Sequence, residues 1–192
     1  MDTSTEAASR SIKEYVREVE IPDGVEVQVE KPAKIRVKGK LGELEKDLSH
    51  AGVTLELDSG KVVVKFLGKG RRAESMIGTI TSIIRNMIIG VTQGFTYKMK
   101  IIASHFPMSA KIKGDTVVIE NFIGERFSRI AKIVGKDTKV EVKGDEIIVK
   151  GIDKQAVGQT AANIELATKI TKKDLRKFLD GIYIYEKKVG WE

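Results

Sequence analysis

The chain has 192 residues, 41% of them hydrophobic, no cysteine, and a formal net charge of +7. That apolar content belongs to a folded domain rather than a disordered tail, and the lack of cysteine excludes disulfides and thiolate metal sites and fits a reducing compartment. No apolar run reaches the roughly 18 residues of a membrane span, and the start, Met-Asp-Thr-Ser-Thr-Glu, has neither the basic nor the apolar region of a signal peptide, so no membrane association is expected.

In chain order, residues 8–18 read as a short amphipathic helix with Ile12, Tyr15, Val16 and Val19 on one side. Ile21-Pro22-Asp23-Gly24 ends it with a turn. Val25, Val27 and Val29 alternate with polar residues, the pattern of a half-buried strand. After Lys31-Pro32-Ala33, residues 34–38 form the paired strand, basic on its outer face. Gly39-Lys-Leu-Gly42 is a loop, and Leu44 and Leu48 read as a single helical turn over the sheet. Residues 53–57 and 61–67 are strands separated by the turn signal Asp58-Ser59-Gly60. Gly68-Lys-Gly-Arg-Arg72 breaks that pattern. Met76, Ile77, Ile80, Ile83, Ile84, Met87, Ile88 and Val91 then step by one, three and four, which predicts an amphipathic helix.

Residues 95–101 alternate as a strand, interrupted by His105-Phe106-Pro107. Residues 108–113 and 115–120 form a hairpin around Gly114. A short helix is read between Gly124 and Gly135. Residues 138–168 repeat the strand–turn–strand–helix unit, with Asp153 placed to cap the helix. Thr171-x-x-Asp174 reads as the cap of another helix over residues 172–179. Asp180-Gly181 is a turn, and residues 182–185 are a strand with isoleucines on one face and tyrosines on the other.

The unit is duplicated. Leu55-Glu-Leu57 and Val62-Val-Val-Lys65 match Val140-Glu-Val142 and Ile147-Ile-Val-Lys150 at one constant offset. The helix recurs one position out of step with these strands, Ala73, Ile77, Ile80 and Ile83 matching Val157, Ala161, Ile164 and Ala167. Upstream, Ile35-Arg-Val-Lys-Gly-Lys-Leu-Gly-Glu43 aligns with Val117-Val-Ile-Glu-Asn-Phe-Ile-Gly-Glu125. Three blocks in the same order, with small indels between them, indicate duplication of a whole domain. The expected fold is α+β: a tandem duplication of a small domain, each copy an antiparallel sheet packed on one amphipathic helix. The expected domains are 1–93 and 94–192, the second carrying a basic tail.

The charge is concentrated. Residues 1–65 are net −2, 66–113 net +7, 114–168 net −1 and 169–192 net +3. A polyanionic partner fits this distribution, and so does a soluble protein with lysine-rich faces. In the C-terminal block, Lys169, Lys172, Lys173, Arg176, Lys177, Lys187 and Lys188 surround Tyr183 and Tyr185. Cationic side chains neutralise phosphates, while tyrosine stacks on unpaired bases or bonds a 2′-hydroxyl. The alternative is a terminal strand whose tyrosines pack on the sheet edge and whose lysines are merely solvated. Lys69, Arg71 and Arg72, at the start of the first long helix, are a secondary candidate for phosphate contact. Their alternative is a solubilising connection. They form neither a Walker loop nor a complete dinucleotide fingerprint. Catalysis has little support: His50 and His105 are the only histidines, and GxSxG and HExxH are absent. No catalytic residue, metal or cofactor is expected.

The tail Lys173-Asp-Leu-Arg-Lys-Phe-Leu-Asp-Gly-Ile-Tyr-Ile-Tyr-Glu-Lys187 resembles the C-terminal signature of the ribosomal protein L-six family of the large subunit, in its archaeal and eukaryotic form. Ile21-Pro-Asp-Gly-Val25, Lys38-Gly-Lys-Leu-Gly-Glu43 and Ile89-Gly-Val-Thr-x-Gly-Phe95 are also similar to family segments, so the resemblance spans the chain. It implies a structural protein of the cytoplasmic ribosome. Such a protein binds large-subunit ribosomal RNA mainly through its second domain, near the sarcin–ricin loop and the docking region of translational GTPases. Other large-subunit ribosomal proteins would be its neighbours. Arg176, Lys177, Tyr183, Lys187 and Lys173 are expected to carry most of the contact. Two other readings share the basic blocks, an RNA-binding module outside the ribosome and a protein–protein adaptor.

Overall fold

The computed structural model describes residues 12–171 and 173–191, and the chain divides into two compact units, Met1–Ile88 and Ile89–Glu192.

The first unit contains β1 (Lys13–Glu20), β2 (Glu26–Glu30), β3 (Lys34–Gly39), β4 (Gly42–Asp47), β5 (Thr54–Asp58), β6 (Lys61–Gly68) and most of α1 (Gly70–Thr92). Two three-stranded antiparallel sheets form, in the orders β2-β3-β4 and β1-β6-β5. Ile35, Val37, Leu55, Val62, Val64, Ile77, Ile80 and Ile84 are buried. The alternation along β3 and β6 and the i, i+3, i+7 spacing on α1 put these side chains on one face of each element. By length and composition α1 could cross a bilayer, but its apolar stripe is buried within the protein.

Two readings of this half are corrected. Residues 13–20 are a strand, not a helix; residues 8–11 lie outside the described residues. The spacing of Ile12, Tyr15, Val16 and Val19 suits a helix, but pairing along all of β6 wins, because the register sets Val19 against Val62 and Arg17 against Val64. The cost of following β6 is visible at Val16, half exposed while Val19 is buried. Leu44 lies within β4, and the single turn comes later, as a 3-10 turn at Ser49–Ala51. Asp47 accepts the Ser49 N–H at 2.9 Å, which starts that turn just beyond the end of Leu44's strand.

The second unit contains β7 (Phe95–Ile102), β8 (Ser109–Lys113), β9 (Thr116–Glu120), β10 (Arg129–Lys132), β11 (Lys139–Lys143), β12 (Glu146–Gly151), α2 (Lys154–Ala167) and β13 (Gly181–Val189). Its sheets are the meander β8-β9-β10 and the four-stranded β11-β12-β7-β13. Strand for strand this repeats the first unit: β2-β3-β4 becomes β8-β9-β10, and β5-β6-β1 becomes β11-β12-β7. β13 has no counterpart among the described residues. α2 packs on β7, β10, β12 and β13 over a core that includes Met99, Val117, Ile147, Val157, Ile164 and Ile182. Asp153 caps α2 as expected, accepting the Gln155 N–H at 2.9 Å. The short helix read between Gly124 and Gly135 is instead the strand β10. Its alternating Arg129, Ala131 pattern pairs with β9, and only a 3-10 turn at Phe122–Gly124 precedes it.

Gly90, near the end of α1, is a packing requirement. A Cβ there would lie 2.0 Å from the Ile152 carbonyl oxygen, and a backbone atom has no rotamer by which to retreat. Gly90→Ala should therefore destabilise the second unit by about 1–3 kcal/mol, despite the better helix propensity of alanine. The measurement is urea unfolding followed by the fluorescence of Trp191, the single tryptophan.

Candidate nucleic-acid interface

Local sequence builds the candidate interface in two pieces, the loop after α2 and the strand β13. On β13, alternation buries Ile182 and leaves Tyr183 and Tyr185 exposed, at 38% and 52%. Ile182 lies opposite Ile101 and Ile184 opposite Met99, on the side covered by α2. Tyr183 lies opposite Lys100, on the outer face, and the Tyr185 hydroxyl donates to Glu146 Oε1 at 3.1 Å. A bulge between Ile184 and Glu186 then changes the alternation. Glu186 falls opposite Lys98 and pairs with it at 3.1 Å, while Lys188 pairs with Glu186 at 3.2 Å. Lys187 falls opposite Tyr97, its Nζ 5.6 Å from that ring. Adjacent in sequence, Lys187 and Lys188 thus belong to opposite faces of the sheet. The tyrosines share their face with Lys188, not Lys187.

The loop of residues 168–180 holds Lys169, Lys173, Arg176 and Lys177, all exposed; Lys172 lies outside the described residues. The helix expected over residues 172–179 is absent among the described residues of that stretch. One turn forms, with the Lys177 and Phe178 N–H groups both donating to the Asp174 carbonyl at 3.0 Å. The Asp174 carboxylate is spent on a single neighbour: it accepts the Arg176 guanidinium Nε and Nη2 at 3.1 Å each and the Arg176 N–H at 3.0 Å. These bonds hold Asp174 below its usual carboxylate range. They also offset the charge of Arg176. Lys169, Lys173 and Lys177 make no ion pair among the described residues, so they present the loop's net positive charge.

The loop is tied down at both ends. At its start, the Ile182 N–H donates to Thr168 Oγ1 at 3.0 Å, and Arg129 Nη1 donates to the Ala167 carbonyl at 2.8 Å. Arg129 is itself aimed by Glu125 through Nε at 2.8 Å and Nη2 at 2.6 Å, and its guanidinium lies 4.3 Å from the Phe122 ring centroid. At its end, buried Asp180 accepts the N–H groups of Ser104 at 2.7 Å and His105 at 2.9 Å, and its Oδ2 lies 2.6 Å from His105 Nδ1. Burial pushes the Asp180 carboxyl up, but the hydrogen bonds from His105 and Ser104 outweigh it and hold the group below its ordinary value. Phe178 stacks on the His105 ring at 4.4 Å, and Lys173 Nζ lies 4.7 Å from the Phe178 centroid. A groove of about 530 Å³ runs beside the loop, lined by Phe122, Ile123, Arg129, Ile170 and Lys173 among others.

Asp180, His105, Thr168 and Arg129 position the loop, and sequence reading assigned none of them this role. Asp180 reads as a turn residue and His105 as a loop residue packing on its neighbours. The missing information is a contact between residues far apart in the chain, which no local pattern encodes.

In the first unit, Lys69, Arg71 and Arg72 are exposed around the start of α1 and line a shallow depression with Glu74. The basic face of β3 is neutralised by β4: Lys34 meets Glu45 at 2.6 Å, and Arg36 meets Glu45 at 2.6 Å and Glu43 at 3.1 Å. Lys34 and Arg36 accordingly pull the Glu45 carboxyl below its usual range. No group of three or more His, Cys, Asp or Glu side chains arranged to hold a metal ion occurs among the described residues.

The family described as Ribosomal protein L6 matches twice, over residues 21–94 and 106–181. "Large ribosomal subunit protein uL6" of Aeropyrum pernix is 51% identical over 175 residues, covering 91% of this chain and 95% of that protein. The proteins of the same name from Staphylothermus marinus and Methanothrix thermoacetophila are 49% and 46% identical, covering 88% and 92% of this chain and 92% and 99% of theirs.

Proposed function

Because the chain belongs to the ribosomal protein L6 family, a structural and non-enzymatic family of the large ribosomal subunit, we propose that it grips large-subunit ribosomal RNA through the 169–177 loop and the outer face of β13. The observation that carries this reading is the loop itself. Three lysines that make no ion pair among the described residues, Lys169, Lys173 and Lys177, are exposed on a segment anchored at both ends, beside exposed Tyr183 and Tyr185. Anchoring spares the entropy that a free loop would lose on binding. The lysines take phosphates, and the tyrosines stack on bases or bond 2′-hydroxyls, so that shape rather than base sequence is recognised. Lys187, over Tyr97, contributes from the other side of the sheet, and Arg176 contributes less than its exposure implies because Asp174 holds it. Lys69, Arg71 and Arg72 make a secondary contact. In keeping with the family resemblance, the RNA is the region around the sarcin–ricin loop, and translational GTPases are neighbours there.

The test is binding of the purified protein to tiled large-subunit RNA fragments across a salt series. Tight binding to one fragment is expected, with log affinity falling steeply against log salt. Equal binding to every fragment would remove the specific site. No binding at low salt would remove RNA as the direct partner and favour the adaptor reading.

A further inference from the structure

The duplication allows each half of the molecule to be read against the other. Val62 of β6 corresponds to Ile147 of β12, and these face Val19 and Met99 respectively, so β1 corresponds to β7 with Val19 in the place of Met99. β7 is an inner strand, with β12 on one side and β13 on the other. β1 has β6 on one side and no strand on the other among the described residues. The second unit has closed an edge that stands open among the described residues of the first.

Hydrogen-bond phase shows what this edge offers. The Ile21 N–H donates to the Gly60 carbonyl at 3.1 Å, in register with β1–β6 pairing, so the odd-numbered residues of β1 bond β6. The N–H and C=O groups of Glu14, Val16, Glu18 and Glu20 therefore aim outward. In β7 the phase is the same. The Ile101 N–H donates to the Asp145 carbonyl at 2.8 Å, and Thr96, Lys98 and Lys100 face β13.

The side chains carry opposite signs in the two halves. Lys98 and Lys100 of β7 correspond to Glu18 and Glu20 of β1. Lys98 is met on β13 by Glu186, directly opposite and 3.1 Å away. A strand added to β1 in the same way would set basic residues opposite Glu18 and Glu20. Lys61 already reaches Glu18 at 2.9 Å from the β6 side, but Glu14 and Glu20 stand exposed on the same face. The chain's own residues 1–11 hold Asp2, Glu6 and one basic residue, Arg10, and lack an alternating basic pattern.

We propose that the outer edge of β1 receives an extended segment of a neighbouring large-subunit ribosomal protein as an added antiparallel strand, with lysine or arginine at alternate positions opposite Glu18 and Glu20. The proposal rests on the ribosomal reading above. Main-chain bonds supply the affinity and the glutamates select a basic strand.

The test is residue-resolved amide exchange on the free full-length protein and on large subunits containing it, with sedimentation establishing incorporation. In the free protein, the amides of Glu14, Val16, Glu18 and Glu20 should exchange fast while those of Tyr15, Arg17 and Val19 are protected. In the subunit the four should slow by about 100-fold or more, as for paired strand amides. A benzophenone cross-linker at Val16 should capture a protein segment with alternate basic residues. Val16→Pro removes an outward N–H that β6 does not use, so the β1–β6 pairing should survive while protection at Glu14 and Glu18 is lost. Unchanged exchange in sedimenting subunits overturns the proposal and leaves the ribosomal reading standing. Protection already present in the free chain overturns it in favour of residues 1–11, and cross-linking to RNA alone overturns it in favour of RNA. Failure to sediment with subunits overturns both.

Discussion

Asp180→Ala should lower the melting temperature of the second unit by roughly 5–15 °C, followed by the fluorescence of Trp191. The carboxylate satisfies two backbone N–H groups and the His105 ring at once, from a position 2% exposed. Removing it strands those donors and releases the stack of Phe178 on His105, at a cost of about 2–4 kcal/mol. For a chain of this size each kcal/mol is worth roughly 2–4 °C. Asp180→Asn keeps the shape and loses the charge, so it should fall between wild type and Asp180→Ala. The pH dependence has a defined sign. Asp180 is depressed in the folded state, so its contribution is fully present above the unfolded aspartate value near pH ~3.9 and is lost as pH falls through the lower folded value. The stability gap between wild type and Asp180→Asn should close on acidification below about pH 4. A gap that persists into acid would mean that shape, not charge, makes the clamp.

Reversing the charge of Lys173, Arg176 and Lys177 together should weaken RNA binding by roughly 10–100-fold at physiological salt and reduce the salt slope by about 2–3, with thermal stability unchanged. All three are exposed, and among the described residues the only tie among them that involves an ion pair is local, between Arg176 and Asp174. Within the set, Lys177→Glu should cost more than Arg176→Glu, because Arg176 already shares its charge with Asp174 while Lys177 does not. Filter binding of each single variant and of the triple variant checks both statements. Unchanged affinity in the triple variant would move the RNA contact away from this loop. The same measurement on Asp180→Ala links the two predictions: a loop freed at one end keeps its charges but must be ordered on binding, so affinity should fall without a change in salt slope.

Much of the architecture was legible in the residues. The hairpins at Asp58-Ser59-Gly60 and Gly114 carry turn residues between alternating apolar runs, and α1 and α2 carry a stripe at helical spacing. These signals are local, and local rules read them. The Asp153 cap is likewise a relation between neighbours. The duplication was legible because both copies keep the same strand–turn–strand–helix phrase. The failures lie where partners outside the segment, near or far along the chain, decided its structure. Residues 13–20 suit a helix until β6, far along the chain, pairs with every one of them. Residues 172–179 carry a cap signal, but Asp174 turns back on Arg176 while Phe178 and Asp180 are drawn to His105. Within residues 124–135 only the four residues Arg129 to Lys132 alternate, too short a run to read as a strand until β9 pairs with it.

The candidate interface divides the same way. Composition alone determined that positive charge gathers after residue 168, and alternation determined that Tyr183 and Tyr185 share a face. Only the tertiary structure decided which of those charges act together. The bulge in β13 puts Lys188 rather than Lys187 on the face of the tyrosines, Asp174 offsets Arg176, and Asp180 fixes the loop that presents Lys173 and Lys177. The reason is physical. Periodicity records which side of an element is apolar, whereas register, bulges and buried hydrogen bonds are set by whichever distant strand or side chain arrives to satisfy the backbone.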